Sequence, residues 1–183
     1  MKELSLNILD ISQNSVKANA TRIDIVLTES ENNDLVTIKI IDNGSGMSTE
    51  LLDSVIDPFV TTRTTRKVGL GIPLLRQLTI DTEGEFEIKS KLGEGTSVFA
   101  SFKLSHLDRP PIGDMPSTIV TIISSNPDIR YVYTHRTDVG EFVLDTDEIK
   151  ETLDGIPISE PEILVWLGGY LTENLNSIEG GKI

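Results

Sequence analysis

Apolar side chains recur at two different spacings along the first hundred residues. In residues 3–19 they repeat at helical spacing with no Pro or Gly between them, which predicts a long first helix. Residues 22–28 and 36–41 instead alternate apolar and polar side chains on either side of a polar stretch, which predicts a β-hairpin. The same two patterns predict a short helix at 48–56 that Ser48 caps, a helix at 70–81, and strands at 86–90 and 96–104.

The second part of the chain begins with a stretch, residues 110–116, that contains three prolines and a glycine and therefore predicts a linker. The patterns after it predict strands at 118–124, 130–134 and 141–144, and a final helix at 160–175. We accordingly divide the chain into a domain at 1–108 and a C-terminal extension at 109–183. The strands of the extension either extend the first sheet or build a small second lobe.

The composition excludes several kinds of site. The chain has 183 residues and no cysteine, so disulfides, thiolate zinc sites, iron–sulfur clusters and a cysteine nucleophile are excluded. Its two histidines, His106 and His135, disfavour a histidine-rich metal site. No apolar run approaches the ~18–20 residues of a membrane span, and the first residues lack the apolar segment of a signal peptide. We therefore expect a cytoplasmic protein without a membrane partner.

The charge is strongly negative and unevenly placed. The chain carries 16 Lys and Arg against 29 Asp and Glu, a formal net charge of −13, which disfavours nucleic acid as a partner. Residues 109–183 hold 5 of the basic and 13 of the acidic residues, so this part is the expected contact for a basic protein partner. The apolar final helix docks on the core in the simpler interpretation, or on a second copy of the chain in a homodimer.

The first of four polar clusters lies on the predicted opening helix. Asp10 and Asn14 are four residues apart and Lys17 follows three residues later, so the three side chains share one helical face. A carboxylate, an amide oxygen and an ammonium can handle a water, a hard cation and a phosphate respectively. A solvated helix face is the plainer interpretation of this spacing taken alone.

The second and fourth clusters are glycine-containing turns next to predicted strands. In residues 42–47, Gly44 and Gly46 allow close approach of a ligand, and Asp42 can accept a hydrogen bond from an exocyclic amine such as that of adenine. In the later turn, the Thr96 hydroxyl can bond a base or a bound water. Each segment alone is also typical of an ordinary turn.

The third cluster begins at residue 57 and combines threonines, cations and a Gly-x-Gly step. Gly69 and Gly71 open a predicted helix, whose first N–H groups are suited to bind phosphate. Arg63, Arg66 and Lys67 are three cations within five residues just before it. A basic loop without a ligand is the alternative interpretation.

In their order and spacing the four clusters resemble the N, G1, F/G2 and G3 boxes of the ATP-binding domain shared by gyrase-type topoisomerases, Hsp90-type chaperones, histidine kinases and mismatch-repair ATPases, the GHKL superfamily. The resemblance covers residues 4–104. Residues 14–25 are more similar to the repair ATPases, whereas residues 57–71 and 93–96 are more similar to histidine kinase catalytic domains. The resemblance implies an α+β fold of the Bergerat type, a two-layer α/β sandwich whose mixed, mostly antiparallel sheet carries helices on one face, followed here by a C-terminal α/β extension.

By this resemblance the chain would bind ATP or ADP with Mg²⁺. Asn14 would be the Mg²⁺ ligand, Lys17 a cation for the phosphates, and Asp42 the acceptor for the adenine amino group. Phe59 would anchor a lid formed by residues 61–71, although a single aromatic residue is also typical of a core. The remaining nucleotide contacts would be made by Gly44, Gly46, Thr61, Thr62, Arg63, Gly69, Leu70, Gly71 and Thr96.

Asp10 occupies the position where hydrolytic and serine-phosphorylating members carry a glutamate that acts as general base, and where histidine kinases commonly carry asparagine. By this resemblance Asp10 is the candidate catalytic residue. Aspartate is one methylene shorter than glutamate, a loss of reach of about 1.5 Å in a step that needs hydrogen-bond distances near 3 Å. The shorter side chain argues against efficient hydrolysis.

The resemblance leaves three activities open. No phosphoacceptor histidine precedes the first box, so self-phosphorylation of the histidine kinase type is not expected, and the acidic extension is a poor candidate for the transducer domain of topoisomerases and repair ATPases. The expected function is a stand-alone Mg²⁺-ATP-binding protein that phosphorylates or regulates a partner protein in trans, similar to anti-sigma-factor kinases or split histidine kinases. The alternatives are an ATP-gated protein-binding switch with little turnover and a slow intrinsic ATPase.

Overall fold

The computed structural model describes residues 3–56 and 71–178, which form six strands and six helices. The strands are β1 (Arg22–Ser30), β2 (Leu35–Asp42), β3 (Phe86–Lys91), β4 (Gly95–Lys103), β5 (Arg130–Arg136) and β6 (Glu141–Asp145). The helices are α1 (Leu4–Lys17), α2 (Thr49–Ile56), α3 (Gly71–Asp81), α4 (Met115–Ser125), α5 (Thr146–Thr152) and α6 (Pro161–Ile178).

The six strands form one mixed sheet in the order β3-β4-β2-β1-β5-β6. Neighbouring strands are antiparallel except for β1 and β5, which are parallel. The predicted hairpin is confirmed, since β1 and β2 pair with Ile23 opposite Asp42 and Ser30 opposite Leu35. The predicted α+β class and its mixed, mostly antiparallel sheet are confirmed as well.

One face of the sheet is covered by helices and forms the core. Along β1 the side chains of Ile23, Ile25 and Leu27 are buried, whereas the side chains between them are half-buried. Helices α1, α3 and α6 contact strands β2, β4 and β6 respectively, and α4 contacts both α1 and α6. Charged side chains such as Lys39 and Glu87 are exposed on the opposite face. The arrangement is therefore the two-layer sandwich that the resemblance implies.

The predicted strand at 118–124 is wrong, because these residues lie within the helix α4. Their β-branched side chains favour a strand by propensity. Two helix-start signals oppose it: the Asp114 carboxylate accepts a hydrogen bond from the Ser117 N–H at 3.0 Å, and Pro116 lies in the first turn. Packing against α1 and α6 then favours the helix, since its buried side chains repeat at helical spacing. These buried residues are Met115, Thr118, Ile119, Ile122 and Ile123.

The predicted linker is tied to the start of the first helix. The N–H groups of Leu4 and Ser5 donate to the carbonyl oxygens of Pro111, at 3.0 Å, and Ile112, at 2.8 Å. Both N–H groups belong to the first turn of α1, where a helix supplies no partner of its own. The segment before α4 therefore completes the hydrogen bonding of α1.

The C-terminal extension continues the first sheet, which decides between the two arrangements that the sequence left open. β5 pairs in parallel with β1, from Arg22 opposite Arg130 to Thr28 opposite Arg136, and β6 pairs with β5. β5 therefore shares hydrogen bonds with a strand of the first hundred residues, and β6 is joined to the sheet through β5. The division of the chain at residue 108 stays a prediction.

The final helix docks within the chain. α6 buries Leu167, Leu171 and Leu175 and contacts α4 and β6, whereas Val165 and Trp166 stay exposed. The homodimer stays a prediction.

α5 is absent from the sequence prediction because its seven residues are mostly polar and carry no clear apolar period. No helix within residues 3–56 and 71–178 is long and apolar enough to cross a membrane.

Asp145 stabilises the extension through two sets of hydrogen bonds. Its carboxylate accepts from the Arg130 guanidinium at 2.6 and 3.1 Å and from the Asp147 N–H at 3.0 Å, where α5 begins. The hydrogen bonds from Arg130 lower the pKa of Asp145. Because D145A removes a helix cap and an ion pair, we expect it to lower the free energy of unfolding by about 2 kcal/mol at neutral pH, measured by urea denaturation.

The pH dependence of this effect has a defined sign. Since the pKa of Asp145 is lower in the folded than in the unfolded chain, its carboxylate stabilises the fold above about pH 4 and loses that contribution as the pH falls through the folded-state pKa. The difference in the free energy of unfolding between D145A and the parent chain should therefore become smaller as the pH falls. D128A, which removes an exposed carboxylate, is the control and should unfold like the parent chain. An equal D145A deficit at neutral pH and at about pH 2 would contradict the ion-pair contribution.

Candidate functional site

Asp42 is held in place at the end of β2 by two hydrogen bonds. The Ser15 hydroxyl, on α1, donates to Oδ2 at 2.6 Å, and the Gly44 N–H donates to Oδ1 at 2.9 Å. Only 9% of Asp42 is exposed. A carboxylate oxygen can accept more than one hydrogen bond, so both oxygens keep acceptor capacity for a ligand. Asp42, the predicted acceptor, is therefore held in place, nearly buried and still able to accept a hydrogen bond from a ligand.

The loop after Asp42 needs its glycines because it packs closely on the protein. A Cβ on Gly44 would lie 2.8 Å from the carbonyl oxygen of Ala18, to which the Ser45 N–H donates at 2.8 Å. Gly46 has a φ of +64°, and a Cβ there would lie 1.9 Å from the carbonyl oxygen of Lys91. These contacts explain both glycines through packing, and their contact with a nucleotide stays a prediction.

Thr96 lies beside Asp42, so the fourth cluster meets the second. The register of β2 and β4 places Thr96 opposite Asp42. The Thr96 hydroxyl lies 2.8 Å from the Ser90 hydroxyl, and the latter accepts from the Met47 N–H at 2.9 Å. Gly95, with a φ of +104°, leaves no space for a Cβ, which would lie 2.0 Å from the carbonyl oxygen of Asp42. A polar wall thus forms next to the carboxylate.

Asp10 and Gly71 are in contact, so the first cluster meets the end of the third. Asp10 and Asn14 are half-buried on α1, and Lys17 is exposed in its last turn. Gly71 is the first residue of α3, and a Cβ on it would lie 1.6 Å from Asp10 Oδ2. The Asp10 carboxylate therefore lies directly against the start of α3, where helical N–H groups have no partner within the helix.

The remaining predicted contacts lie outside the described residues. The two sides of that segment are joined, since the Arg76 guanidinium on α3 donates to the carbonyl oxygen of Ile56 at the end of α2 at 3.3 Å. The roles given to the residues between these helices stay predictions. These residues are Phe59, Thr61, Thr62, Arg63, Arg66, Lys67, Gly69 and Leu70.

Two positioning residues escaped the sequence analysis. Ser15 lies in the predicted first helix and has no predicted role of its own, yet its hydroxyl holds Asp42. Ser90 was assigned only to a strand, yet its hydroxyl links Met47 and Thr96. For Ser15 a signal existed, because a polar side chain on a buried helical stripe needs a hydrogen-bond partner. For Ser90 the alternation of β3 carried no comparable signal.

A comparison with protein families assigns the two-layer α/β domain to an ATPase family. Residues 2–106 match the family described as histidine kinase-, DNA gyrase B- and HSP90-like ATPase. This match covers more than half of the 183 residues, and the chain belongs to this family.

The similar relatives include a putative sensor protein and a sporulation kinase. Over 109 residues the chain is 30% identical to a putative sensor protein of Shewanella frigidimarina, which covers 58% of this chain and 17% of that protein. Over 68 residues it is 35% identical to sporulation kinase D of Bacillus subtilis, covering 37% of this chain and 13% of the kinase. The chain thus spans less than a fifth of the length of these curated relatives.

A solved structure confirms the fold independently of sequence. The ATPase domain of Aquifex aeolicus MutL, complexed with ADP, matches with a TM-score of 0.52 at 15% identity over 84% of this chain and 68% of that one. The N-terminal domain of a DNA repair protein matches with a TM-score of 0.54 at 15% identity over 79% of this chain and 53% of that one. The coverage shows that the likeness extends beyond residue 106 into the extension.

The donor set of the site fits a nucleotide with Mg²⁺. Mg²⁺ takes oxygen ligands and keeps several waters, so it needs few protein ligands beside phosphate. Asn14 and Asp10 supply an amide oxygen and a carboxylate on one face of α1. Asp42 adds an acceptor at the end of β2. It is hydrogen-bonded to Ser15, the residue that follows Asn14 in α1.

The contact between Asp10 and Gly71 predicts that replacement of Gly71 by alanine destabilises the fold only while Asp10 is present. Because a methyl group on Gly71 would displace the Asp10 carboxylate, we expect G71A to lower the free energy of unfolding by about 1–2 kcal/mol. The loss should disappear in the D10A background, where the carboxylate is absent. Urea denaturation of the two single variants and the double variant measures this coupling.

The matched control is G169A, since Gly169 is also helical and a Cβ there would meet nothing within 4 Å. Alanine is the better helix former, so G169A should raise the free energy of unfolding by about 0.5–1 kcal/mol. Equal effects of G71A with and without Asp10 would show that the two residues are not coupled.

Proposed function

We propose that this chain binds ATP with Mg²⁺ and phosphorylates or regulates a partner protein in trans, in the manner of anti-sigma-factor kinases or split histidine kinases. The observation that carries the proposal is the Asp42 carboxylate, held by Ser15 and Gly44 at the end of β2. A fixed acceptor of this kind selects a ligand with an exocyclic amine, which adenine has. The family assignment and the similarity to a sporulation kinase support the same ligand.

The proposal assigns roles to several of the predicted site residues that the structure describes. Asn14 would hold Mg²⁺, and Asp42 would accept from the adenine amino group, with Thr96 beside it. Lys17 and the first N–H groups of α3 at Gly71 would neutralise phosphate charge, which is the main contribution a protein makes to phosphoryl transfer. Bound Mg²⁺-ATP supplies the phosphoryl group. Arg63, Gly69 and the other predicted lid residues would add to the phosphate contacts.

The partner is proposed from charge. The extension holds 13 acidic and 5 basic residues, so a basic surface on another protein would be attracted to it. On α6, Trp166 stacks on Tyr170 with ring centroids 5.2 Å apart, and both side chains remain exposed. Aromatic side chains of this kind are enriched at protein interfaces. A partner contact through the extension would leave the nucleotide site open.

An ATP-gated switch with little turnover is the second candidate, and Asp10 is the observation that favours it. The carboxylate is one methylene shorter than the glutamate of hydrolytic members and lies against Gly71 at the start of α3. A general base must reach the proton that it abstracts, so a short carboxylate packed on a helix is poorly placed for turnover. A slow ATPase that depends on Asp10 is the remaining alternative.

Replacement of Asp42 tests the nucleotide site. D42N is expected to weaken binding of Mg²⁺-ATP by at least about tenfold, because it removes a charged acceptor from a nearly buried position. S15A should weaken binding less, by about threefold, since it only frees Asp42 to move. Isothermal titration calorimetry with a non-hydrolysable ATP analogue measures both effects.

The control for S15A is S12A, another buried serine of α1, whose hydroxyl has no hydrogen-bond partner in the described part of the chain. S12A should bind like the parent chain. All variants should first be checked for unchanged far-ultraviolet circular dichroism. An unchanged affinity of folded D42N would remove the assignment of the site.

Transfer of phosphate distinguishes the three activities. The protein should be incubated with γ-labelled ATP, Mg²⁺ and proteins that co-purify with it from its host, with D42N as the matched inactive variant. We expect label on a partner protein, lost with D42N and after removal of Mg²⁺ by a chelator. Label on a partner excludes the pure switch, whereas ATP-dependent capture of an unlabelled partner supports it. Release of free phosphate that D10N abolishes would instead indicate a slow ATPase.

A further inference from the structure

A cavity of about 530 Å³ lies where β1 and β5 finish, at the other end of the sheet from Asp42. The core face of these strands, the segment before α4 and the last turns of α6 form its walls. Met115, Leu175 and Ile178 give it a buried apolar side. This volume, with an apolar lining and a few polar groups, is typical of small-molecule sites.

The polar side of the cavity is built around a buried histidine. His135 is 1% exposed, and its Nε2 lies 2.8 Å from Glu29 Oε1 while its Nδ1 lies 2.9 Å from the Tyr133 hydroxyl. The two ring nitrogens of His135 therefore each have a hydrogen-bond partner, the Glu29 carboxylate on one side and the Tyr133 hydroxyl on the other. The two hydrogen bonds fix the Glu29 carboxylate at the cavity wall.

One oxygen of that carboxylate is available to a ligand. Glu29 Oε2 has no hydrogen-bond partner within residues 3–56 and 71–178. A partly buried carboxylate oxygen without a donor favours a ligand that brings one. The site therefore favours a ligand with a hydrogen-bond donor, and a positively charged donor forms the stronger bond with a carboxylate.

The charge around the cavity is negative. Asp138 lines it together with Glu29 and Glu31, and among its described lining residues there is no Lys or Arg. Hydrogen bonds from the Asn32 N–H, at 3.0 Å, and the Ser30 hydroxyl, at 2.8 Å, lower the pKa of Asp138, which is therefore ionised at neutral pH. Such a field attracts cations and repels anions, nucleotides included.

We infer that this cavity binds a small organic amine that carries an apolar group. The ammonium donates to Glu29 Oε2 in the field of Asp138, and the apolar group covers Met115, Leu175 and Ile178. Ammonium alone would leave the apolar side in contact with water, and an apolar alcohol would leave the carboxylate without a cation. Both halves of the ligand are required.

This site is separate from the nucleotide site. Ile23 pairs with Asp42 at the start of β1, and Glu29 comes six positions later on the same strand. Six residues of β-strand span about 20 Å. Amine and nucleotide can therefore be bound at the same time, and the inference does not depend on the proposed function.

The test compares three probes that share one ring and differ in their head group: 2-phenylethylamine, 2-phenylethanol and 3-phenylpropanoate. Calorimetric titration of the full chain should give saturable binding of the amine, about tenfold weaker binding of the alcohol, and no measurable binding of the carboxylate. E29Q keeps the shape of the side chain and should weaken amine binding by about tenfold. E87Q, which alters an exposed glutamate on the opposite face of the sheet, should not.

Chemical-shift mapping by NMR then locates the amine, with the expected changes at Thr172 and Val139, which line the cavity. Four results would overturn the inference: no amine binding, equal affinity for amine and alcohol, equal affinity of E29Q and the parent chain, or displacement of the amine by Mg²⁺-ATP. A chain without residues 179–183, which include Lys182, is the last comparison. If only this shortened chain binds the amine, the chain's own tail is the natural occupant and the inference fails.

Discussion

The hydrogen bond between the Ser15 hydroxyl and the Asp42 carboxylate joins the two layers of the structure at the site. It connects the helix α1 to the last residue of β2, and the Gly44 N–H completes the hold on the same carboxylate. The loop that follows can then pack on Ala18 and Lys91 only because glycines stand at the contacts. Asn14 and Asp10 lie on the helix that this bond anchors. The geometry of the proposed nucleotide site therefore depends on one nearly buried carboxylate whose hydrogen bonds are supplied by the protein.

The extension is joined to the first hundred residues, because it shares the hydrogen bonds of β1 and packs against α1. β1 is paired on one side with β2 and on the other with β5, so without the extension its backbone groups would form an open edge. Pro111 and Ile112 accept the first N–H groups of α1, and α4 packs against that helix. A family match that ends at residue 106 thus stops inside a continuous sheet and helix layer.

The two ends of the sheet have different chemistry, and the net charge of −13 alone hides this difference. At the Asp42 end, Lys17 and the start of α3 favour phosphate beside a fixed acceptor. At the other end, Glu29 and Asp138 line a cavity with an apolar side. The acidic composition disfavours extended nucleic acid, whose many phosphates meet the whole field. A small ligand responds only to the charges around its own site, so one chain can suit an anion at one end and a cation at the other.

The sequence by itself determined the period of most elements and the order of the four polar clusters, because spacing and glycine placement are local properties. It therefore predicted the β1–β2 hairpin and the opening helix. Its prediction of a strand at 118–124 was wrong, because a helix cap and packing against α1 and α6 favour a helix there more than the β-branched side chains favour a strand. Only the tertiary structure decided that β5 extends the sheet, that Ser15 holds Asp42, and that Glu29 and His135 meet at a cavity. Each of these depends on residues far apart in the chain, and no local pattern encodes which distant partner will satisfy a buried polar group.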